Sequence, residues 1–92
     1  MIKSFRHKDL QLFFETESRA GIQSAHAPRL ARQLARLNEA RSWEDMNLPG
    51  WRLHLLEGKL IGHFSIVVSG NWRLTFKFEG EDAVLVNYQD YH

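Results

Sequence analysis

At Trp51 the spacing of apolar residues changes from a helical period to a period of two, which divides the chain into a helical first part and a sheet-forming second part. Before that point, Leu10, Phe13 and Phe14 fall at i, i+3, i+4 within Lys8 to Glu15, the apolar stripe of a helix. Gly21 belongs to the loop that follows. Pro28 suits the first turn of a second helix, where its missing N–H costs nothing. In that helix Leu30, Leu34 and Leu37 recur at i, i+4, i+7 and should pack inward, while Arg29, Arg32 and Arg36 recur on another face. Ile2 to Phe5 reads as a short opening strand, and Asn47-Leu48-Pro49-Gly50 as a turn.

Beyond Trp51, four segments have strand character. Trp51, Leu53 and Leu55 alternate with Arg52, His54 and Leu56. Phe64, Ile66 and Val68 alternate with His63, Ser65, Val67 and Ser69. Trp72, Leu74, Phe76 and Phe78 alternate with Arg73, Thr75 and Lys77, and Ala83 to Tyr88 is rich in β-branched and aromatic residues. Glu57-Gly58, Ser69-Gly70 and Gly80-Glu81-Asp82 separate them, the pattern of an antiparallel meander. The expected fold class is α+β, with two N-terminal helices packed on one face of an antiparallel sheet. With 92 residues, one domain over 1–92 is expected. If Trp51, Leu53, Trp72, Leu74 and Phe76 face the helices, His54 and Arg73 meet on the uncovered face. Alternation leaves open which of Asp90, Tyr91 and His92 points toward them.

Composition narrows the class of protein. A 43% hydrophobic and 25% charged composition is ordinary for a folded domain, and no apolar run suggests a membrane span. Met1 to Arg6 lacks the pattern of a signal peptide. The absence of cysteine excludes disulfides and thiolate zinc sites, and a cytoplasmic location is expected. Net charge is only +1, but the balance is +4 over residues 1–41 and −3 over residues 42–92. The first part can offer a basic surface to a polyanion, or simply a solvated helix face.

Cleavage of a ribonucleotide phosphodiester without a metal needs a base for the 2′-hydroxyl, an acid for the leaving 5′-oxygen and a cation for the phosphate. His54, Arg73, Asp90 and His92 are the residue types for those tasks. Tyr91 can stack on a base or hold a phosphate. The alternative is that each is an ordinary surface residue and the last three form a frayed tail. His7, His26 and His63 have no metal-ligand spacing, so neither a metal site nor another cofactor is expected.

These residues also carry a family resemblance. Gly62-His63-Phe64-Ser65-Ile66, then Asn71-Trp72-Arg73-Leu74-Thr75-Phe76 and the ending Val86-Asn87-Tyr88-Gln89-Asp90-Tyr91-His92 closely resemble HigB toxins of the RelE/ParE superfamily. Met1-Ile2-Lys3-Ser4-Phe5 and Arg52-Leu53-His54-Leu55 fit as well, so the resemblance spans nearly the whole chain. It implies a RelE-like fold and ribosome-dependent cleavage of mRNA in the decoding site of the small ribosomal subunit, without a metal cofactor. By matching position, it implies an active-site set of His54, Arg73, Asp90, Tyr91 and His92, with base and acid unassigned. Asn71 would contact the substrate nucleotide, Lys59 and Lys77 would contribute RNA contacts, and Arg29, Arg32 and Arg36 would grip ribosomal RNA. The implied partner is a cognate helix-turn-helix antitoxin, HigA-like, through which the pair would bind operator DNA.

Two other functions fit the same fold: a non-enzymatic ParE-like inhibitor of DNA gyrase, and a degenerate toxin retained as an antitoxin-binding module. The His54, Arg73, Asp90-Tyr91-His92 set argues against the first. The second draws on departures from the family pattern: Glu57 stands where HigB-like chains commonly carry lysine, and Val67 and Ser69 lie in a strand where many have arginine. Lys59 is two residues from Glu57 and could substitute if its turn faces the site. Glu57→Lys should therefore raise the rate of mRNA cleavage. An unchanged or lower rate in a primer-extension assay contradicts this.

Overall fold

The computed structural model describes residues 1–91, so His92 lies outside the described residues. Helix α1 is Lys8–Thr16 and helix α2 is Ala27–Glu39, with Pro28 in the first turn of α2 as its fixed φ favours. At the start of α1, the His7 ring accepts a hydrogen bond from the Leu10 N–H at 3.0 Å. Four strands follow: β1 His54–Leu55, β2 Phe64–Ser69, β3 Trp72–Glu79 and β4 Asp82–Asp90. They form one antiparallel sheet in the order β1-β2-β3-β4, the meander that the alternation predicts.

The α1 residues Leu10 and Phe13 and the α2 residues Leu30, Leu34 and Leu37 share one buried cluster with Ile66, Leu74, Phe76, Val86 and Tyr88 of the sheet. The leucine spacing of α2 thus does what its period requires. Two segments differ from the alternation. Ile2 to Phe5 does not form a regular strand: it runs parallel to β4 and touches it through isolated bridges at Ile2–Ala83 and Phe5–Val86. Leu85 takes a left-handed backbone conformation at φ 55°, and the register of β3 with β4 shifts there. The Ser4 hydroxyl accepts the Leu85 N–H at 2.8 Å, so the N-terminal segment satisfies a donor that the bulge removes from the ladder.

The first strand is also much shorter than the period-two run from Trp51 to Leu56. Gly50 and Arg52 both have positive φ, 83° and 53°, which breaks the extended conformation before His54. The alternation shifts as well: Leu55 is 56% exposed and Leu56 only 5%. A left-handed arginine costs about 1–2 kcal/mol, so the surroundings must hold it. They do so through the two residues before it. The Arg29 guanidinium donates through Nη2 to the Gly50 carbonyl at 2.9 Å, and the Val67 N–H donates to the Trp51 carbonyl at 2.8 Å.

A buried polar contact fastens the other end of the sheet. The Tyr88 hydroxyl of β4 lies 2.6 Å from His26 Nδ1, just before α2. Trp72 packs against Tyr88 at 4.7 Å between ring centroids, so β3, β4 and the entry to α2 converge there. Burial raises the Tyr88 pKa above its ordinary value, partly offset by a backbone hydrogen bond from Gln23. A folded-state pKa above the unfolded one means that the native state holds its proton longer. Its contribution to stability is complete below pH ~10 and declines as pH rises through the folded-state value.

Tyr88→Phe should cost roughly 1–3 kcal/mol, because it removes a hydrogen-bond partner from a buried imidazole. It should also flatten the loss of stability above pH ~10. Thermal unfolding across pH 7 to 11, on the order of this range, checks both; an unchanged melting temperature contradicts the clasp.

Candidate active site

The sheet face opposite the core is polar in its middle. Register sets His54 opposite Ser65 and Ser65 opposite Thr75, so these three side chains form a row across β1, β2 and β3. Arg73 is two residues from Thr75 and shares its face, opposite Val67 on one side and Gln89 on the other. Ser65 and Thr75 are buried in spite of this position, and the Gln89 amide donates to the Thr75 hydroxyl at 2.8 Å. Ser65 and Thr75 thus form a buried polar floor between His54 and Arg73.

Above this floor is a depression of about 510 Å³ lined by Arg52, His54, Leu56, Ser65, Val67, Asn71, Arg73 and Tyr91. Arg73 Nη1 donates to the Gly70 carbonyl at 2.6 Å, which holds the guanidinium to the β2–β3 turn. A guanidinium has five donors, so this anchor orients the fork without exhausting it. The Tyr91 N–H donates to the Asn71 carbonyl at 2.8 Å, which ties the C-terminal segment to the same turn and brings its ring to the depression. A second depression of about 320 Å³ adjoins the first, sharing His54, Leu56 and Tyr91 and adding Leu55 and Glu57. The carboxylate of Glu57 thus stands on the His54 side of the site.

The residues expected to form the site do not all come together. His54, Arg73, Tyr91 and Asn71 come together around one depression. Asp90 pairs with Trp72, so alternation puts it on the side of Tyr88 rather than of Arg73, at the exposed end of β4. His92 is outside the described residues. The lysines are more peripheral. Lys77 is on the same face as Thr75, with its chain passing Gly62, while Lys59 is exposed on the turn Gly58–Leu60. Among the described residues neither lines the two depressions.

The helical arginines also differ among themselves. Arg29 is half-buried and bonds the Val67 and Gly50 carbonyls. Arg36 donates through Nε to the Asp45 carbonyl at 3.0 Å, and Arg32 is exposed. His7 and His26 have the structural contacts described above, and His63 is buried.

Arg52 is a charged lining residue that sequence reasoning did not single out. The signal was present, since alternation set Arg52 with His54, away from Trp51 and Leu53. Ser65 was overlooked for a different reason: a serine inside a strand has no pattern that marks it as the floor of a site.

Over residues 3–92 the chain matches the family described as RelE-like toxin of type II toxin-antitoxin system HigB. The chain belongs to the HigB-like toxin family. This HigB-like chain is 40% identical over 92 residues to Endoribonuclease HigB of Proteus vulgaris, covering 100% of both chains. It is 37% identical over 95 residues to Toxin HigB-1 of Vibrio cholerae serotype O1, covering 100% of this chain and 98% of the relative. In fold it is similar to a copper-bound mutant toxin from Helicobacter pylori, with a TM-score of 0.54, 16% identity, and coverage of 98% of this chain and 94% of the other. That last likeness concerns the fold alone. Among the described residues no helix is long and apolar enough to cross a membrane.

Proposed function

We propose that this chain is a ribosome-dependent mRNA endonuclease, the toxin of a type II toxin–antitoxin pair, acting as a single RelE-like domain over residues 1–92 with both helices on one face of its sheet. One observation carries the reading: a histidine, an anchored arginine and a tyrosine line the same polar depression on the open sheet face. Those are the groups that phosphodiester cleavage needs. The name of the Proteus vulgaris relative, an endoribonuclease identical at 40% of positions, supports it further.

In this reading the depression receives the scissile phosphodiester. Arg73 stabilises the charge that gathers on the phosphate as the 2′-oxygen attacks, and its anchor on Gly70 keeps that cation in place before the reaction begins. His54 and His92 share the work of base and acid around it, while Asp90, turned to the other side of β4, orients the terminal segment that carries Tyr91 and His92. Tyr91 and Asn71, tied to each other through the backbone, position the substrate nucleotide. Lys59, Lys77 and Arg32 supply contacts to RNA at the periphery, where phosphate binding gives affinity without sequence choice. Arg29 and Arg36 are committed to protein carbonyls and serve the RNA surface through the loops they hold.

Membership of a type II toxin–antitoxin family implies an antitoxin partner. We assign that partner to the HigA-like helix-turn-helix class, with operator DNA bound mainly through it, and the setting to the cytoplasm, where ribosomes are. The experiment that tests the function incubates the chain with mRNA, with and without ribosomes, and maps the new ends. Cuts that appear only with ribosomes support the proposal; inhibition of gyrase supercoiling without cuts points to the ParE-like alternative. His54→Ala should reduce cleavage about 10²–10⁴-fold. Deleting His92 alone should abolish it with the melting temperature unchanged, and a fully active truncation removes His92 from the catalytic set.

A further inference from the structure

We propose that Arg52 is a second phosphate-binding cation of this site, holding a backbone phosphate of the RNA strand next to the one that Arg73 contacts. The inference rests on the reading of the depression as an RNA-cleaving site, but its main observations are independent of it.

The first observation is charge. Among the described residues, the larger depression is lined by two arginines, Arg52 and Arg73, together with His54, and by no Asp or Glu. Glu57 lines only the adjoining one. Two cations kept in one concave surface without a carboxylate between them repel each other, and an anion that bridges them relieves that repulsion. A polyanion with regularly spaced phosphates is the ligand class that two neighbouring guanidinium groups match best.

The second observation is backbone conformation. Arg52 is one of three non-glycine residues in the described chain with positive φ. Left-handed backbone disfavours a side chain as long as arginine, and glycine stands two positions earlier, at Gly50, where the same conformation is freely adopted. The conformation at 52 is imposed from outside. Arg29 holds the Gly50 carbonyl, and Val67 holds the Trp51 carbonyl. A strained residue at the wall of a site, with the two peptide groups before it held by distant partners, is the arrangement in which strain serves positioning.

The third observation is location. The hydrogen bond from Val67 to Trp51 brings the start of the β1 segment beside β2, and Val67 pairs with Arg73 on β3. Arg52 therefore flanks the uncharged Val67 on one side, as Arg73 does on the other. Arg29, which contacts the carbonyls of both Val67 and Gly50, acts here as a positioning residue for Arg52.

The test separates this inference from the cleavage reading by using an RNA that cannot be cut. A 2′-O-methyl trinucleotide is titrated into the isotope-labelled chain, and binding is followed by NMR through the arginine side-chain signals. The variants are Arg52→Asn, which tolerates left-handed backbone without the charge, and Arg52→Lys, which keeps the charge. Arg52→Asn should raise Kd roughly tenfold, and lower the slope of log Kd against log salt by about 0.7, the share of one single-strand phosphate contact. Its melting temperature should be equal or higher, because asparagine relieves strain at this position. Arg52→Lys should recover most of the affinity. An Arg52→Asn chain that binds as tightly as the wild type overturns the inference. So does a wild-type chain with no saturable binding, even if ribosome-programmed cleavage proceeds. Loss of binding to empty ribosomes alone, with trinucleotide binding intact, would assign Arg52 to ribosomal RNA and equally overturn it.

Discussion

The Val67 peptide group is the point on which helix, loop and sheet depend. Its carbonyl, at a break in the β2–β3 ladder, accepts the buried Gln33 amide at 2.8 Å and Arg29 Nε at 3.3 Å, both from α2. Its N–H is given to the Trp51 carbonyl. A bulge leaves backbone groups without ladder partners, and buried ones must find others. Here the helix supplies them, and in doing so fixes how α2 sits over the sheet and where the chain turns into His54. The two side chains differ in how fully they are satisfied. Gln33 keeps its amide oxygen without a described partner in the core, a cost that an apolar residue would not carry.

The same economy governs the site. The two β-bulges and the left-handed residues Arg52 and Leu85 fall where the sheet departs from a regular ladder. One departure admits the N-terminal segment beside β4, and the other opens the face that holds Arg52, His54 and Arg73. Beneath them, Ser65 and Thr75 are buried yet polar, and the half-buried Gln89 bonds the Thr75 hydroxyl. A hydrogen-bonded floor of this kind fixes the groups above it without exposing apolar surface to a charged ligand. The remaining large depression, about 390 Å³ between the helices, is lined mostly by Phe13, Phe14, Pro28 and Leu34 with small alanines. Its only charged lining residues are Glu17 and Arg19, and it has no histidine to set beside the arginine as the sheet face does.

Much of this was legible in the residues. The leucines at 30, 34 and 37 predicted the buried stripe of α2, and the alternation of β3 placed Arg73 away from Leu74 and Phe76. The pairing of His54 and Arg73 on one face followed from that alternation, and the structure lines one depression with both. The period-two run from Trp51 misled, because spacing cannot register a left-handed residue at 52 held by contacts distant in sequence. Arg29 misled similarly. On a helical wheel it is a solvent-facing cation, and only the fold brings it the Val67 carbonyl at the bulge and the Gly50 carbonyl of the loop.

The sequence by itself determined the class of fold and the candidate chemistry, because periodicity and residue type are local properties that survive without a partner. It assigned helices before Trp51, strands after it, and a histidine and an arginine to the same sheet face. Tertiary structure alone decided which cations reach the site. Arg52 enters it because Val67 and Arg29 pin the backbone just before it, whereas Arg36 is drawn to the Asp45 carbonyl. It also decided between the ends of the tail. Tyr91 is brought to the depression by the Asn71 carbonyl, while pairing with Trp72 turns Asp90 to the other side. Those outcomes depend on where bulges leave backbone groups unmatched, and that is settled only when distant strands set their register.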